Sequence, residues 1–276
     1  MYKLIISDLD GTLQGFGGAV SPAVKDAIHA AIQAGCRFTL ATGRILQSVL
    51  PFAEDLQVNA PLICCSGALV IDHRTREELY KRTLPIPLVH EAMRYAMEAG
   101  LRCSAYFDDY TTSLRSPGDG RGFSEWLGDS ANRPVPAPFE YLRREPMNCL
   151  LWEVNEDVTP LMVERLQERV GNQLRIVQTT PNLIECLLPD VSKAHAAAIL
   201  SAHLGIPRGQ VMALGDNNND VELLKWAGLG VAVGSATPAA RAAASHVVGP
   251  VSEDGAADAL LRFILGAEPS APARTR

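Results

Sequence analysis

Leu4-Ile5-Ile6-Ser7-Asp8-Leu9-Asp10-Gly11-Thr12 is the stretch that decides the fold. Leu4–Ser7 is an apolar run of strand length, and an acid follows it at once. Alternate residues of an extended segment project to one side, so Asp8 and Asp10 both reach a site at the strand end. Two neighbouring carboxylates resist joint ionisation unless a cation intervenes. Hard oxygen ligands of this kind suit Mg²⁺. Gly11 lets the backbone leave the strand sharply. Taken alone, the same residues also read as a solvated turn with two surface acids.

Outward from this segment the pattern alternates. Gly15 to Gly18 reads as a loop. Ser21 caps a helix with Pro22 in its first turn, and Val24, Ile28, Ala31 and Ile32 mark its apolar face. Gly35 stops it. Arg37–Ala41 is a second strand ending at Thr42-Gly43-Arg44, and a helical segment starts at Ile45. Pro61–Cys65 is a third strand ending at Ser66-Gly67. Such alternation predicts a parallel sheet with helices on both faces, and in that architecture ligands sit beyond the carboxyl ends of the strands.

The middle of the chain differs. Ala68–Ile71 and Glu78–Tyr80 flank Asp72-His73-Arg74 as a hairpin, and a helix is predicted over Leu88–Ala99. Short strands are predicted at Arg102–Phe107, Tyr110–Leu114, Cys149–Val154, Arg175–Gln178 and Leu183–Leu187, with a helix near Pro160–Val170. Ser116 to Pro138 reads as a long loop, in which Arg121, Phe123, Trp126 and Arg133 stand out. The alternation then resumes: a helix over Ser192–Leu204, a strand over Gln210–Leu214, a helix from Asn219 to Trp226, short strands at Gly230–Val233 and His246–Val248, and a closing helix over Ala256–Leu265. The expected division is a core from residues 1–83 and 189–276, with an inserted α+β domain over 84–188.

Three further constellations fall at predicted strand ends or helix starts. Thr42-Gly43-Arg44 offers a hydroxyl and backbone N–H groups of the kind that hold a phosphate. Lys193, early in its helix, is a point charge for a phosphate. Gly215-Asp216-Asn217-Asn218-Asn219-Asp220 packs two carboxylates and three amides into one loop. Each has an ordinary alternative as a capped turn or a solvated side chain. Together they supply a nucleophile, a proton donor, a phosphate clamp and a metal site, which is the inventory of phosphoryl transfer.

The motifs carry a resemblance. Asp8-Leu9-Asp10-Gly11-Thr12-Leu13 resembles the first motif of haloacid dehalogenase phosphatases, and Ala41-Thr42-Gly43-Arg44 the second, in the form used by the Cof-like sugar-phosphatase branch, subclass IIB. Val191-Ser192-Lys193 resembles the third, and Gly215-Asp216 through Asn219-Asp220 the fourth. Gly230-Val231-Ala232-Val233 and Ser252-Glu253-Asp254-Gly255 are also similar to that branch. The resemblance implies a Rossmann-like doubly wound α/β core with an α+β cap. It implies that Asp8 attacks phosphorus and that Asp10 protonates the leaving group and then activates water. Thr42, Gly43, Arg44, Lys193 and Asn219 would contact substrate. Mg²⁺ would be held by the Asp8 carboxylate, the Asp10 backbone carbonyl and Asp216, with Asp220 orienting metal-bound water or Lys193. The chain departs from the pattern at Ser66, where many relatives carry Asn, and at Ala194, where many carry Gly.

The implied activity is hydrolysis of a small phosphorylated metabolite, with sugar phosphates foremost. Transfer to a sugar hydroxyl, as in a phosphotransferase or phosphomutase, uses the same core acids. A sugar-phosphate-binding protein without turnover is a third reading. A net charge of −6 argues against a broad nucleic-acid surface. No apolar run reaches membrane-spanning length. The N-terminus lacks the features of an export signal, so a cytoplasmic protein, monomeric or weakly dimeric, is expected. The six cysteines show no CxxC or zinc spacing and are expected to be reduced and buried.

Overall fold

A computed structural model describes residues 1–15, 17–107, 109–113, 144–152 and 157–266. The predicted loop from Ser116 to Pro138, with its Arg121, Phe123, Trp126 and Arg133, lies outside them, as does the chain from residue 267 onward.

Five strands form a parallel sheet: β1 (Leu4–Ser7), β2 (Arg37–Leu40), β11 (Val211–Gly215), β12 (Leu229–Ala232) and β13 (His246–Val247). Their order is β13-β12-β11-β1-β2. Ile63 of β3 (Leu62–Cys64) bridges Ala41 in parallel beside β2, and β3 continues antiparallel into β4 (Leu69–Ile71) and β5 (Glu78–Lys81). The chain steps from β1 outward to β2 on one side and later to β11 on the other. The strand order therefore reverses next to β1, which places a ligand crevice at its carboxyl end.

Side chains alternate across this sheet. Ile5 joins one apolar cluster with Phe38, Leu40, Met212 and Val231. Leu4 and Ile6 join another with Val211, Ala213 and Ala232. Helices α1 (Pro22–Gln33), α2 (Leu46–Asp55) and α8 (Gly255–Phe263) cover the first face through residues such as Val24, Ile28, Val49 and Leu260. Helices α5 (Lys193–His203), α6 (Val221–Trp226) and α7 (Pro238–Ala243) cover the second through Ala196, Leu200, Leu223 and Ala240. The doubly wound α/β sheet is thus present. Helix α7 was not anticipated. Its six residues are mostly alanine, which leaves no apolar periodicity to read, although Thr237 caps it by accepting from the Ala240 N–H.

The insert has its own antiparallel sheet of β6 (Arg102–Tyr106), β7 (Thr111–Ser113), β8 (Asn148–Trp152), β9 (Arg175–Thr180) and β10 (Leu183–Leu187), in the order β7-β6-β8-β10-β9. Helices α3 (Ile86–Glu98) and α4 (Thr159–Val170) pack on one face through Val89, Met93, Leu166 and Val170. The opposite face meets the parallel-sheet half: Tyr106, Met147, Leu183 and Leu187 belong to the same apolar cluster as Ile5 and Phe38. Polar links add to this contact. Asn218 Nδ2 donates to the Gln178 carbonyl at 2.8 Å, and Arg175 pairs with Glu222 at 2.9 Å.

All six cysteines are free and buried. Among the described residues, no helix is long and apolar enough to cross a membrane.

Candidate active site

The loops after β1, β2, β3 and β11 and the start of α5 converge on one point. Asp8 continues the ladder of β1, its N–H donating to the Leu214 carbonyl at 3.0 Å. Its Oδ1 accepts from Lys193 Nζ at 2.6 Å. The same ammonium donates to Asp220 Oδ1, also at 2.6 Å. Lys193 is placed by helix capping, since Ser192 Oγ accepts from the His195 N–H at the start of α5. The close pass of the third loop beneath it requires a glycine. Gly67 has φ +102°, and a Cβ there would lie 2.3 Å from the Ser192 carbonyl oxygen.

Asp216 follows β11. Thr12 Oγ1 donates to its Oδ1 at 2.7 Å and Asn217 Nδ2 to its Oδ2 at 2.8 Å. The first loop presses directly on it: a Cβ on Gly11, with φ +92°, would sit 2.2 Å from Asp216 Oδ2. Asp220 is fully buried, and its Oδ2 accepts from the backbone N–H groups of Asp216 and Asn217. That self-capping tightens residues Asn218–Asp220 into a 3₁₀ turn, so α6 begins at Val221 rather than at Asn219 as predicted.

Each of Asp8, Asp216 and Asp220 offers a carboxylate oxygen within 4.8 Å of the others. Three carboxylates face one ammonium. Burial, together with repulsion from Asp220 and Asp10 and against the pull of Lys193, pushes Asp8 up to about 7. Burial and repulsion from Asp8 and Asp220 push Asp216 up to about 9. Burial alone would weaken the ammonium of Lys193, but attraction to Asp220 and Asp8 outweighs it and raises its pKa. This excess of buried negative charge on hard oxygens is what a small divalent cation neutralises, so the residues fit such an ion.

The Asp10 carboxylate turns outside this cluster. Arg44 grips it with two hydrogen bonds, Nε to Oδ2 and Nη2 to Oδ1, both 2.7 Å, and Gln14 Nε2 donates to Oδ1 at 3.1 Å. The guanidinium lies 5.1 Å from the Phe52 ring centre. Thr42 uses its backbone N–H on the Ile63 carbonyl at 2.9 Å, and its Oγ1 accepts from the Arg44 N–H at 3.1 Å. Gly43 lies against Ser66 Oγ, which is 3.4 Å from where its Cβ would be. Asn219 is half-buried, with its Oδ1 buried and unpartnered. The structure therefore brings Asp8, Lys193, Asp216 and Asp220 into contact, with the Asp10–Arg44 pair beside them.

Residues 5–260 match the family model for haloacid dehalogenase-like hydrolases. The chain belongs to that family. YxeH of Bacillus subtilis is 31% identical over 273 residues, covering 96% of this chain and 99% of that protein. The 5-amino-6-(5-phospho-D-ribitylamino)uracil phosphatase YcsE of B. subtilis is 29% identical over 263 residues, covering 95% and 96%. Among solved structures, a haloacid dehalogenase-like hydrolase from Bacteroides thetaiotaomicron superposes with a TM-score of 0.82 at 26% identity, over 95% of this chain and all of the other. The subclass IIB sugar phosphatase BT4131 shares the fold, insert included, with a TM-score of 0.83 at 23% identity, over 95% of this chain and 98% of its own.

Sequence reasoning passed over several residues that border the site. Thr12 lies inside the first motif and Gln14 directly follows it, but neither carried a role. Glu185, an acid in the middle of the apolar Leu183–Leu187 strand, was legible as an anomaly and was not remarked.

The charge imbalance sets a stability test. Asp216 has a folded pKa raised from 3.8 to about 9, so its stabilising contribution is complete below pH 3.8 and is lost as pH rises through about 9. In EDTA, Asp216→Asn removes that loss. The variant is expected to melt at least about 2 °C above the parent at alkaline pH, with the gap closing towards pH 4. Calorimetric melting across pH measures it, and a gap that does not change with pH contradicts the charge account.

Proposed function

We propose that the chain is a Mg²⁺-dependent phosphomonoesterase acting on a small organic phosphate through an aspartyl-phosphate on Asp8. The observation that carries this reading is the 2.6 Å contact between Lys193 and Asp8 at the end of the central strand. Lys193 fixes the carboxylate in one rotamer and supplies positive charge where phosphoryl oxygens would lie. Asp8 Oδ attacks phosphorus as the bond to the ester oxygen breaks. Asp10 enters this step protonated, with one oxygen turned from Arg44 to the ester oxygen; it gives that proton to the oxygen, and the alcohol leaves. Asp10 then takes a proton from water as the water attacks phosphorus, which frees phosphate and restores the Asp8 carboxylate.

Thr42, Gly43 and Lys193 would hold the phosphoryl oxygens, with Asn219 contacting the phosphate or supporting its loop. Arg44 enters as the residue that orients Asp10, because its fork already matches that carboxylate in two hydrogen bonds. The Asp8 and Asp216 carboxylates and the Asp10 backbone carbonyl would hold Mg²⁺, with Asp220 anchoring Lys193 and the loop. A bound Mg²⁺ supplies charge neutralisation at the phosphoryl oxygens and lets the acidic cluster accept an anion. The division into a core of 1–83 and 189–276 and a cap of 84–188 accompanies this reading. Leu188, at the boundary, packs against both apolar clusters. Small phosphorylated metabolites of the cytoplasm are the proposed substrates.

Two variants test it. Asp8→Asn is expected to lower phosphate release at least about 10³-fold with the melting profile intact, read on a panel of phosphate esters with Mg²⁺ and with EDTA. Normal turnover in the variant refutes Asp8 as nucleophile. Arg44→Lys is expected to lower kcat about 10-fold or more with KM within about threefold. A rise in KM at constant kcat assigns Arg44 to substrate instead.

A further inference from the structure

Gln14 ends the tight turn that follows β1. The N–H groups of Leu13 and Gln14 both donate to the Leu9 carbonyl, at 3.0 and 3.1 Å, and the Gln14 carbonyl accepts from the Gly11 N–H at 2.7 Å. These main-chain bonds lay Gln14 alongside Asp10 as an isolated bridge. The turn is therefore closed by backbone, with no call on the side chain at this position. Leu13 beside it is apolar and buried, as packing requires.

The side chain of Gln14 is not a packing residue of that kind. It is 1% exposed, and an amide there is costly where an apolar side chain would fill the same space. Its Nε2 donates to Asp10 Oδ1 at 3.1 Å, and its Oε1 is buried with no hydrogen bond among the described residues. A glutamine kept for the fold would satisfy both ends, since an orphaned buried acceptor carries a penalty. The amide of Gln14 makes one bond against that penalty, and the bond is to Asp10.

The two oxygens of Asp10 are held differently. Oδ2 accepts from Arg44 Nε, whereas Oδ1 accepts from both Arg44 Nη2 and Gln14 Nε2. The Asp10 side chain keeps 13% of its surface exposed and Gln14 is enclosed, so an incoming ester meets Asp10 and is screened from Gln14. When Oδ2 leaves Arg44 for the ester oxygen, the carboxyl group needs a fixed point to turn about. Gln14 Nε2 supplies one, on a residue whose backbone is pinned at both its N–H and its carbonyl.

We propose that Gln14 is a positioning residue for proton transfer: it holds Oδ1 of Asp10, so that Oδ2 is delivered to the leaving-group oxygen without the whole side chain swinging away. This rests on the phosphatase reading above and on Asp10 as its proton donor. Gln14 touches no reacting atom and acts through Asp10.

Gln14→Met keeps the length of the side chain and removes the donor. The full chain is assayed with Mg²⁺ on 4-nitrophenyl, phenyl and primary alkyl phosphates. Protonation of the leaving oxygen matters least for nitrophenolate and most for an alkoxide. The variant is expected to lower kcat/KM about 10-fold or more on the ester with the poorest leaving group that the parent cleaves, and less than about threefold on 4-nitrophenyl phosphate. Should Gln14→Met fail to fold, Gln14→Glu, which keeps the shape and as a carboxylate cannot donate, is read in its place with the same tilt expected. Equal losses on every ester, which a structural role would produce, overturn the proposal, as does a ratio between esters within about twofold of the parent's. For a parent that cleaves alkyl esters alone, a fall in kcat with KM within about threefold supports it, and a rise in KM at constant kcat overturns it. A parent that releases phosphate while the variants show no tilt sinks the role of Gln14 alone. A parent that releases none from any ester sinks the phosphatase reading and this role with it.

Discussion

A single buried ammonium ties this molecule together. Lys193 Nζ reaches Asp8 at the end of β1 and Asp220 beyond β11, each at 2.6 Å. It thereby joins the two central strands to the start of α5. Removing that ammonium would leave buried carboxylates uncompensated, which is strongly destabilising, whereas losing Asp8 still leaves Asp220 as its counter-charge. The rest of the site is arranged around that constraint. Ser192 caps the helix that presents Lys193, Gly67 clears the space beside the Ser192 carbonyl, and the backbone N–H groups of Asp216 and Asn217 hold the far oxygen of Asp220.

The arrangement leaves a surplus of negative charge, and that surplus explains the chemistry the family performs. Asp8 and Asp216 are both driven above the usual carboxylate range by burial and by one another. A cation and a phosphate dianion are complementary to this state in turn: the first lowers the cost of the acids, and together with Lys193 it accommodates the second. The Asp10 carboxylate is turned aside by hydrogen bonds from Arg44 and Gln14.

Much of this was legible in the residues. The apolar run before Asp8, the alternation of strand and helix, and the loops at Thr42 and Gly215 followed from period and turn chemistry, and the parallel sheet formed as they required. Contacts far apart in sequence were less accessible. Nothing in the chain order shows that Arg44 would close on Asp10 rather than face outward, or that Gly11 would press on Asp216. Helix α7 escaped notice because alanine has no side chain long enough to mark a face. Asp220 ends a strand-loop by folding its carboxylate back onto the backbone, which moved the start of α6 by two residues. Glu185 was visible as an acid within Leu183–Leu187, but its burial against Asn148 and Thr179 depended on contacts between strands far apart in sequence.

The central claim is that phosphorus becomes bonded to Asp8. Quenching the chain in acid during turnover in the presence of Mg²⁺, reducing with borohydride and mapping peptides by mass spectrometry reads this bond directly. An acyl phosphate is reduced to an alcohol, so the account predicts conversion of Asp8 to homoserine, dependent on substrate and Mg²⁺. Conversion at another carboxylate, or an unmodified Asp8 under conditions where phosphate is being released, would contradict it.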